Sequence, residues 1–373
     1  EQKLSKRPPM YDRCCIALHE SIVREKLDSG SARVIRFKVD REKTVVFDDM
    51  IRGHVSFLAQ NIDDQVLMKS DGFPTYHLAN VVDDHLMQVS HVIRGEEWLP
   101  STPKHILLYE AFGWDIPRYA HLPLLLNADK SKLSKRQGDV AVSDYISKGY
   151  LRDAIVNFSA LLGWNPGQGS TQEIFSLEEL KRVFDVQKVH KAGAVFDIKK
   201  LDWINAQYIK KMHPDALYRE AVPFLEQKPF FQSWKQKTLL NESGQKDFIQ
   251  KVLAVEQGRL STLASVGDAN PFFFFPPEVS LHMLQWKDMS DDQVRDNIQI
   301  MEKSLSSLSA DQWTLPVLEQ SMLKTAGDKR GEFLWPVRVA LTGAQKSPSP
   351  FEVAWVLGRD ETMRRICNAI RAK

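Results

Sequence analysis

Long apolar runs are the first thing this 373-residue chain lacks. None approaches the roughly 18 residues that a membrane-spanning helix requires. Cysteine is nearly missing as well: Cys14, Cys15 and Cys367 cannot build a disulfide framework, and such sparse thiols fit a reducing compartment. An excess of one charge is also wanting. Fifty Lys and Arg stand against 48 Asp and Glu, a net charge of +2, so no global basic field announces nucleic acid and any basic surface must be local. Internal repeats, long low-complexity segments and a secretory signal are missing too. What is there is 43% hydrophobic and 26% charged, an ordinary globular composition with room for roughly two or three domains of about 100–200 residues. Cys14 and Cys15 with His19 raise zinc, but a zinc site needs about four ligands at characteristic spacing, and adjacent cysteines without a second pair read as bystander thiols.

Residues 32–39 alternate apolar and polar side chains as a half-buried strand does, and 45–47 and 54–58 read as further short strands. From Val66 the texture changes. A turn at 69–74 precedes a helix over 76–87 with Thr75 as its cap, and a short apolar strand follows at 89–93. Thr102-Pro103 reads as an N-cap with proline at N1 and Gly113 as the C-terminal stop, giving a helix over 103–112. The next strand is expected at 122–126. Alternating strands and helices imply a parallel sheet, whose ligands gather beyond the carboxyl ends of the strands. Arg94, Glu97, Trp98 and the stretch 132–136 would all lie at that edge. Beyond about residue 139 the strand signal fades. Helices are expected at 150–162, 177–184, 198–203, 214–225, 244–257, 291–307, 310–326, 331–342 and 350–371. The run Phe272 to Phe275 ahead of Pro276-Pro277 reads as core packing in preference to a base-stacking platform.

The stretch around which the chain is organised is Lys132-Leu133-Ser134-Lys135-Arg136. A buried strand feeding a loop of Lys, Ser and Gly suits phosphate chemistry, because lysines there can neutralise charge on a leaving phosphate. The bland alternative is a solvated basic loop.

Residues 69–98, KSDGFPTYHLANVVDDHLMQVSHVIRGEEW, with STPKHILLYEAFGW after them, resemble the second half of the catalytic domain of glutamyl-tRNA synthetases. KLSKR at 132–136 is similar to that family's version of the KMSKS signature of class I synthetases. Phe196 to Asn205, FDIKKLDWIN, resembles the segment in which these enzymes contact the inner corner of the tRNA L. The ordered matches span about 30–211. The resemblance implies an α/β Rossmann-like catalytic half followed by all-α stem-contact and anticodon-binding domains. It divides the chain into a remnant of the acceptor-binding insertion at 1–66, the second catalytic half with the KLSKR loop at 67–140, a helical stem-contact domain at 141–211 and a helical anticodon-binding region at 212–373. The family's HIGH-type signature, which binds ATP phosphates near the N-terminus, is not found in this sequence. Glu1 is not a methionine and the opening residues read like the interior of a domain, so the expectation is a chain beginning inside the acceptor-binding insertion.

The resemblance implies a glutamate–tRNA ligase: ATP activates L-glutamate to glutamyl-adenylate, and glutamate passes to tRNA(Glu). ATP with magnesium on its phosphates enters as substrate, and no protein-bound metal is implied. Lys135 would be the main transition-state cation with Lys132 assisting. Glu97, Trp98, Lys132, Leu133, Ser134, Lys135 and Arg136 would bind ATP. Tyr76, His77, Leu78, Ala79, Asn80 and Arg94 would bind glutamate, Arg94 through its planar fork. The bland readings are a salt bridge from Arg94 to Glu96 or Glu97, helix-core packing for Leu78 and Ala79, and a structural tryptophan for Trp98. Asp83 and Asp84 diverge by about 100° on a helix and read as structural. Lys188, Lys191, Lys199, Lys200, Lys210 and Lys211 would sit on tRNA phosphates, which positions RNA without reading its sequence. Two other readings stand beside the ligase: a tRNA-binding remnant without catalysis, and the short synthetase-like enzyme that glutamylates a modified base, which lacks an anticodon-binding region. The expected partners are tRNA(Glu), L-glutamate and ATP, with no membrane, for a monomer in the cytoplasm or a mitochondrial or plastid matrix and not secreted.

Overall fold

Period-two burial builds the centre of the first unit. In strand β2, Thr44–Asp49, the residues alternate exposed and buried, so Val45, Phe47 and Asp49 share the inner face. The structure is a computed structural model that describes residues 10–133, 141–167 and 169–371. Strand β1, Ile35–Arg36, pairs with β4, Val66–Met68. β2 pairs antiparallel with β3, Gly53–Leu58, and parallel with β6, Arg118–Leu122; β6 in turn pairs parallel with β5, His91–Gly95. The sheet order is therefore β3-β2-β6-β5, three parallel strands with one antiparallel edge. A two-residue β7, Leu125–Leu126, pairs parallel with β8, Ala194–Val195.

Helix α1 spans Glu20–Asp28 and buries no residue. Helix α2 spans Tyr76–Leu86, and helix α3, Thr102–Phe112, buries Thr102, Pro103, His105, Ile106, Leu107, Leu108 and Tyr109. Val45, Phe47, Ile106, Leu107 and Tyr119 form one cluster between the sheet and α3. Ala120, on the other face of β6, packs with Ile51, Trp164, Phe175, Leu180 and Val189. By its contacts the chain divides into two units, 1–133 with 160–197 and 134–159 with 198–373.

The second unit is helical. Its core runs from Ile209 to Ala369 and holds Leu217, Phe231, Leu253, Leu284, Ile298, Met322 and Leu341 at no more than 2% exposure. Phe272, Phe273 and Phe274 are buried in it, as core packing requires. Gly149 has φ +81°, and a Cβ there would lie 2.7 Å from Leu263 N, so no other residue fits that turn.

Several local expectations need correction. The strand expected over 32–39 is reduced to Ile35–Arg36. The strand expected over 122–126 is two strands, 118–122 and 125–126, parted at Pro123, which has no N–H to donate to a ladder. Thr102 is the first residue of α3, with Ser101 in the cap position, a one-residue shift that frees the Thr102 hydroxyl. Thr75 stands in the cap position of α2 without a side-chain cap bond; its hydroxyl donates to Val66 O at 2.7 Å instead. The sheet is mixed, not wholly parallel. The single helix expected over 350–371 is two, Pro350–Leu357 and Arg359–Ile370, broken at Gly358 with φ +78°. The helix expected over 310–326 begins only at Leu315, and that expected over 198–203 runs on to Lys211. Helices Val142–Ser147 and Pro229–Lys237, like α1, had no counterpart in the sequence reading.

Candidate active site

Three adjacent strands set one polar line across the first unit. Arg94 of β5 lies opposite His121 of β6 in the parallel ladder, and Asp49 of β2 pairs with Tyr119, two residues before His121. Residues two apart share a face, so Asp49, His121 and Arg94 stand side by side under α3. Asp49 is 3% exposed and His121 is fully buried. The Asp49 carboxylate meets His121 Nδ1 at 2.6 Å through Oδ2. Its Oδ1 accepts the backbone N–H groups of Ile51 at 2.9 Å, Arg52 at 2.8 Å and His121 at 3.2 Å. Burial pushes the Asp49 carboxyl up, but these hydrogen bonds outweigh it and hold its pKa below the usual value.

Arg94 Nε donates to His121 Nε2 at 3.1 Å, one terminal nitrogen donates to Thr102 Oγ1 at 2.9 Å, and the other faces His105 Nδ1 at 3.4 Å. Thr102 and His105 present these groups together because i and i+3 share a helix face. The guanidinium also lies 5.8 Å from the Trp98 ring centroid and 5.5 Å from that of Tyr119. Every one of these partners is uncharged or aromatic. Glu96 pairs with Arg52 at 2.5 Å and Glu97 with Lys132 at 3.5 Å, so among the described residues neither forms the salt bridge to Arg94 that the sequence left open. Burial lowers the Arg94 pKa, yet a guanidinium stays charged in proteins. Arg94 is thus a half-buried cation with three of its five N–H groups held by neutral acceptors.

The other expected site residues fall around it. Tyr76, half exposed at the start of α2, packs its ring on Trp98 with centroids 5.0 Å apart. His77 Nδ1 lies 2.9 Å from His105 Nε2. Burial, then the charges of Lys104 and Arg94, lower the His77 pKa; the same causes, burial first, push His105 down to about 3. Leu78 and Ala79 are partly buried in α2, and Asn80 donates to Asp84 at 3.2 Å. Past β7, a turn at 127–131 folds Lys132 back against Leu126. Leu133 N donates to Leu125 O at 2.9 Å. Lys132, Glu97 and Trp98 therefore meet near the carboxyl end of β5. Ser134, Lys135 and Arg136 lie outside the described residues. Lys188 is exposed, whereas Lys191 Nζ donates to Arg52 O at 2.9 Å. Lys199, Lys200, Lys210 and Lys211 lie on helix Ile198–Lys211, with Lys200 Nζ 4.4 Å from the Trp203 ring centroid. Among the described residues no three His, Cys, Asp or Glu side chains group so as to hold a metal ion, and no helix is long and apolar enough to cross a membrane.

Sequence reasoning missed Asp49, His121, Thr102 and His105. The available signal was a charged or polar side chain at a position whose alternation is otherwise buried.

Residues 1–203 match the family of class I tRNA synthetases (E and Q), catalytic domain. Residues 216–370 match an anticodon binding domain. The glutamate–tRNA ligase of Prosthecochloris aestuarii is 44% identical over 354 residues, 94% of this chain and 69% of that protein. The chain belongs to the glutamate–tRNA ligase family. The ligase of Chloroherpeton thalassium is 43% identical over 361 residues, covering 95% of this chain and 70% of its own length. The crystal structure of the glutamate tRNA ligase of Elizabethkingia meningosepticum in complex with its amino acid superposes with a TM-score of 0.84 at 33% identity, over 99% of this chain and 76% of that one. The glutamate–tRNA ligase fold, a class I catalytic domain with a mixed sheet followed by a helical anticodon-binding domain, is the fold of this chain.

Proposed function

We propose that the carboxyl edge of β5 binds L-glutamate for ATP-dependent activation and transfer to tRNA(Glu), with Arg94 gripping a substrate carboxylate. The observation that carries this reading is the state of Arg94. It is a partly desolvated cation oriented by neutral groups and given no carboxylate of the protein among the described residues. Such a group gains most from a carboxylate supplied by a ligand. Tyr76 and Asn80 line the same side, with the Tyr76 hydroxyl as a donor to the substrate, beside His77, Leu78 and Ala79. Lys132, Leu133, Glu97 and Trp98 form the ATP side with Ser134, Lys135 and Arg136. MgATP is the co-substrate. The glutamate carboxylate attacks the α-phosphate and pyrophosphate departs, with Lys135 and Lys132 balancing the developing charge.

The domain reading stands with it: residues 1–66 from the acceptor-binding insertion, 67–140 the catalytic half, 141–211 the stem contact and 212–373 the anticodon-binding region. Lys199 with Lys210, and Lys200 with Lys211, are each eleven residues apart. That is close to three helical turns and about 16 Å, which supports two ranks of phosphate contacts along one side of that helix. A reaction that needs tRNA and ATP belongs in the cytoplasm or an organelle matrix.

Arg94→Lys tests the reading. A lysine cannot reproduce the bidentate fork, so in a chain that also carries the HIGH-type half of the site the glutamate KM in pyrophosphate exchange should rise about 10- to 100-fold, the value of one charge-assisted hydrogen bond, with the ATP KM little changed. An unaltered glutamate KM would overturn the assignment.

A further inference from the structure

The line of Asp49, His121 and Arg94 has a direction built into it. An arginine Nε–H can only donate, so His121 Nε2 must be the unprotonated nitrogen. The ring proton then sits on Nδ1 and is given to Asp49 Oδ2. The same argument runs along the second branch. His105 Nδ1 accepts from Arg94, so His105 carries its proton on Nε2 and donates it to His77 Nδ1. Arg94 is therefore held from two sides by histidines of defined tautomer, and among the described residues His121 is the one anchored by a carboxylate.

We propose that Asp49 is a positioning residue for substrate glutamate: by fixing the tautomer of His121 it sets the plane of the Arg94 guanidinium and turns the two remaining N–H groups toward a ligand carboxylate. This rests on the reading of Arg94 given above. Neither Asp49 nor His121 touches substrate in this scheme; both act through Arg94. The orientation matters because bidentate recognition is planar. A guanidinium free to swing would lose a good part of its advantage over a lysine ammonium.

The geometry makes Asp49→Asn a sharper probe than its small size suggests. Oδ1 accepts three backbone N–H groups, so an asparagine must keep its oxygen there. Its amide nitrogen then faces His121 Nδ1 with a proton of its own. The imidazole answers by moving its proton to Nε2, where it can donate to Thr102 Oγ1 at 3.0 Å but no longer accepts from the Arg94 Nε–H. Shape is conserved while the hold on Arg94 is reversed.

Nitrogen-15 spectra of histidine-labelled wild-type chain should show His121 with a protonated Nδ1 and a bare Nε2 near neutral pH. A protonated Nε2 overturns the proposal before any variant is made. In Asp49→Asn, the tautomer should invert and the glutamate dissociation constant, measured by calorimetry, should rise about 10- to 100-fold, as when an outer partner of a binding group is lost. ATP binding should stay within about twofold, since a uniform loss would mark general damage to the fold. A folded Asp49→Asn chain with unchanged glutamate affinity overturns the positioning role. Arg94→Lys is measured alongside. If it weakens glutamate and Asp49→Asn does not, only the positioning role falls; if neither does, the reading of Arg94 fails. Should Asp49→Asn not fold, the link is read in the wild-type chain by saturating it with glutamate. The His121 nitrogens should shift, and their indifference to glutamate overturns the proposal.

Discussion

In the proposed reaction Arg94 and Lys135 are assigned different charges, and their variants should fail differently. On the proposed reading Arg94 would face a carboxylate present in the ground state, so its loss should fall on glutamate affinity. On the same reading Lys135 would meet charge that builds only as pyrophosphate leaves. In a chain that also carries the HIGH-type half of the site, Lys135→Ala should therefore slow single-turnover adenylate formation by about 100- to 1,000-fold, the usual cost of losing one such contact, with glutamate binding nearly intact. A chemical step within about threefold of wild type would return KLSKR to the solvated-loop reading. Lys132 is already poised for the same task. Its pairing with Glu97 at 3.5 Å is between groups that are each about half exposed, and such pairs hold by only about 0–1 kcal/mol, so an arriving phosphate can take the ammonium at little cost. Arg94 and the lysines were singled out from the sequence because each stands in a polar loop or at the end of an apolar run. Asp49 and His121 were not. They are 72 residues apart in sequence, and nothing local to either names the other.

At the level of elements, α3 couples the site to stability. Its residues Thr102 and His105 are almost fully buried, and His105 has its pKa pushed from the ordinary 6.5 to about 3 by burial and then by nearby cations. The unfolded chain takes up a proton on this histidine below about pH 6.5, whereas the folded chain does so only near pH 3. Between these values the unfolded state binds more protons, so stability rises with pH and falls as pH drops. The lowered pKa of Asp49 adds to the loss at the acid end, because the folded state resists its protonation. Urea unfolding followed from about pH 7 to pH 4 should lose stability, at up to about 1.4 kcal/mol per pH unit from His105. His105→Phe should flatten that slope, and an equally steep slope in the variant would show that other groups carry it. Helices were read to within about a residue at 76–86, where a turn precedes the helix, and at 291–306, which opens on a Ser290 capping box. Two of the failures share a cause: proline and glycine cut elements at Pro123 and Gly358, where the side-chain pattern alone suggests continuity.

For the whole molecule, a net charge of +2 means that, on the proposed reading, tRNA would be held by local ranks of lysine. If Lys199, Lys200, Lys210 and Lys211 each neutralise one phosphate, counterion release predicts that affinity falls roughly 50- to 150-fold between about 50 and 200 mM salt. Replacing one of them with alanine should reduce the logarithmic salt slope by about one. Filter binding across that range checks both, and a slope unchanged by the substitutions would remove this helix from the RNA contact. What the sequence determined by itself was whatever local pattern encodes. A short apolar run marked the strand around 45–47, a turn at 69–74 marked the start of α2, and a basic loop after an apolar run raised phosphate chemistry. The tertiary structure alone decided which of those side chains meet. The register of β2, β6 and β5 is set by how their inner faces pack beneath α3, and a shift of one residue would turn Asp49 and His121 away from each other. Strand register is a long-range outcome of packing, and for that reason the line that holds Arg94 could not be read until the strands were side by side.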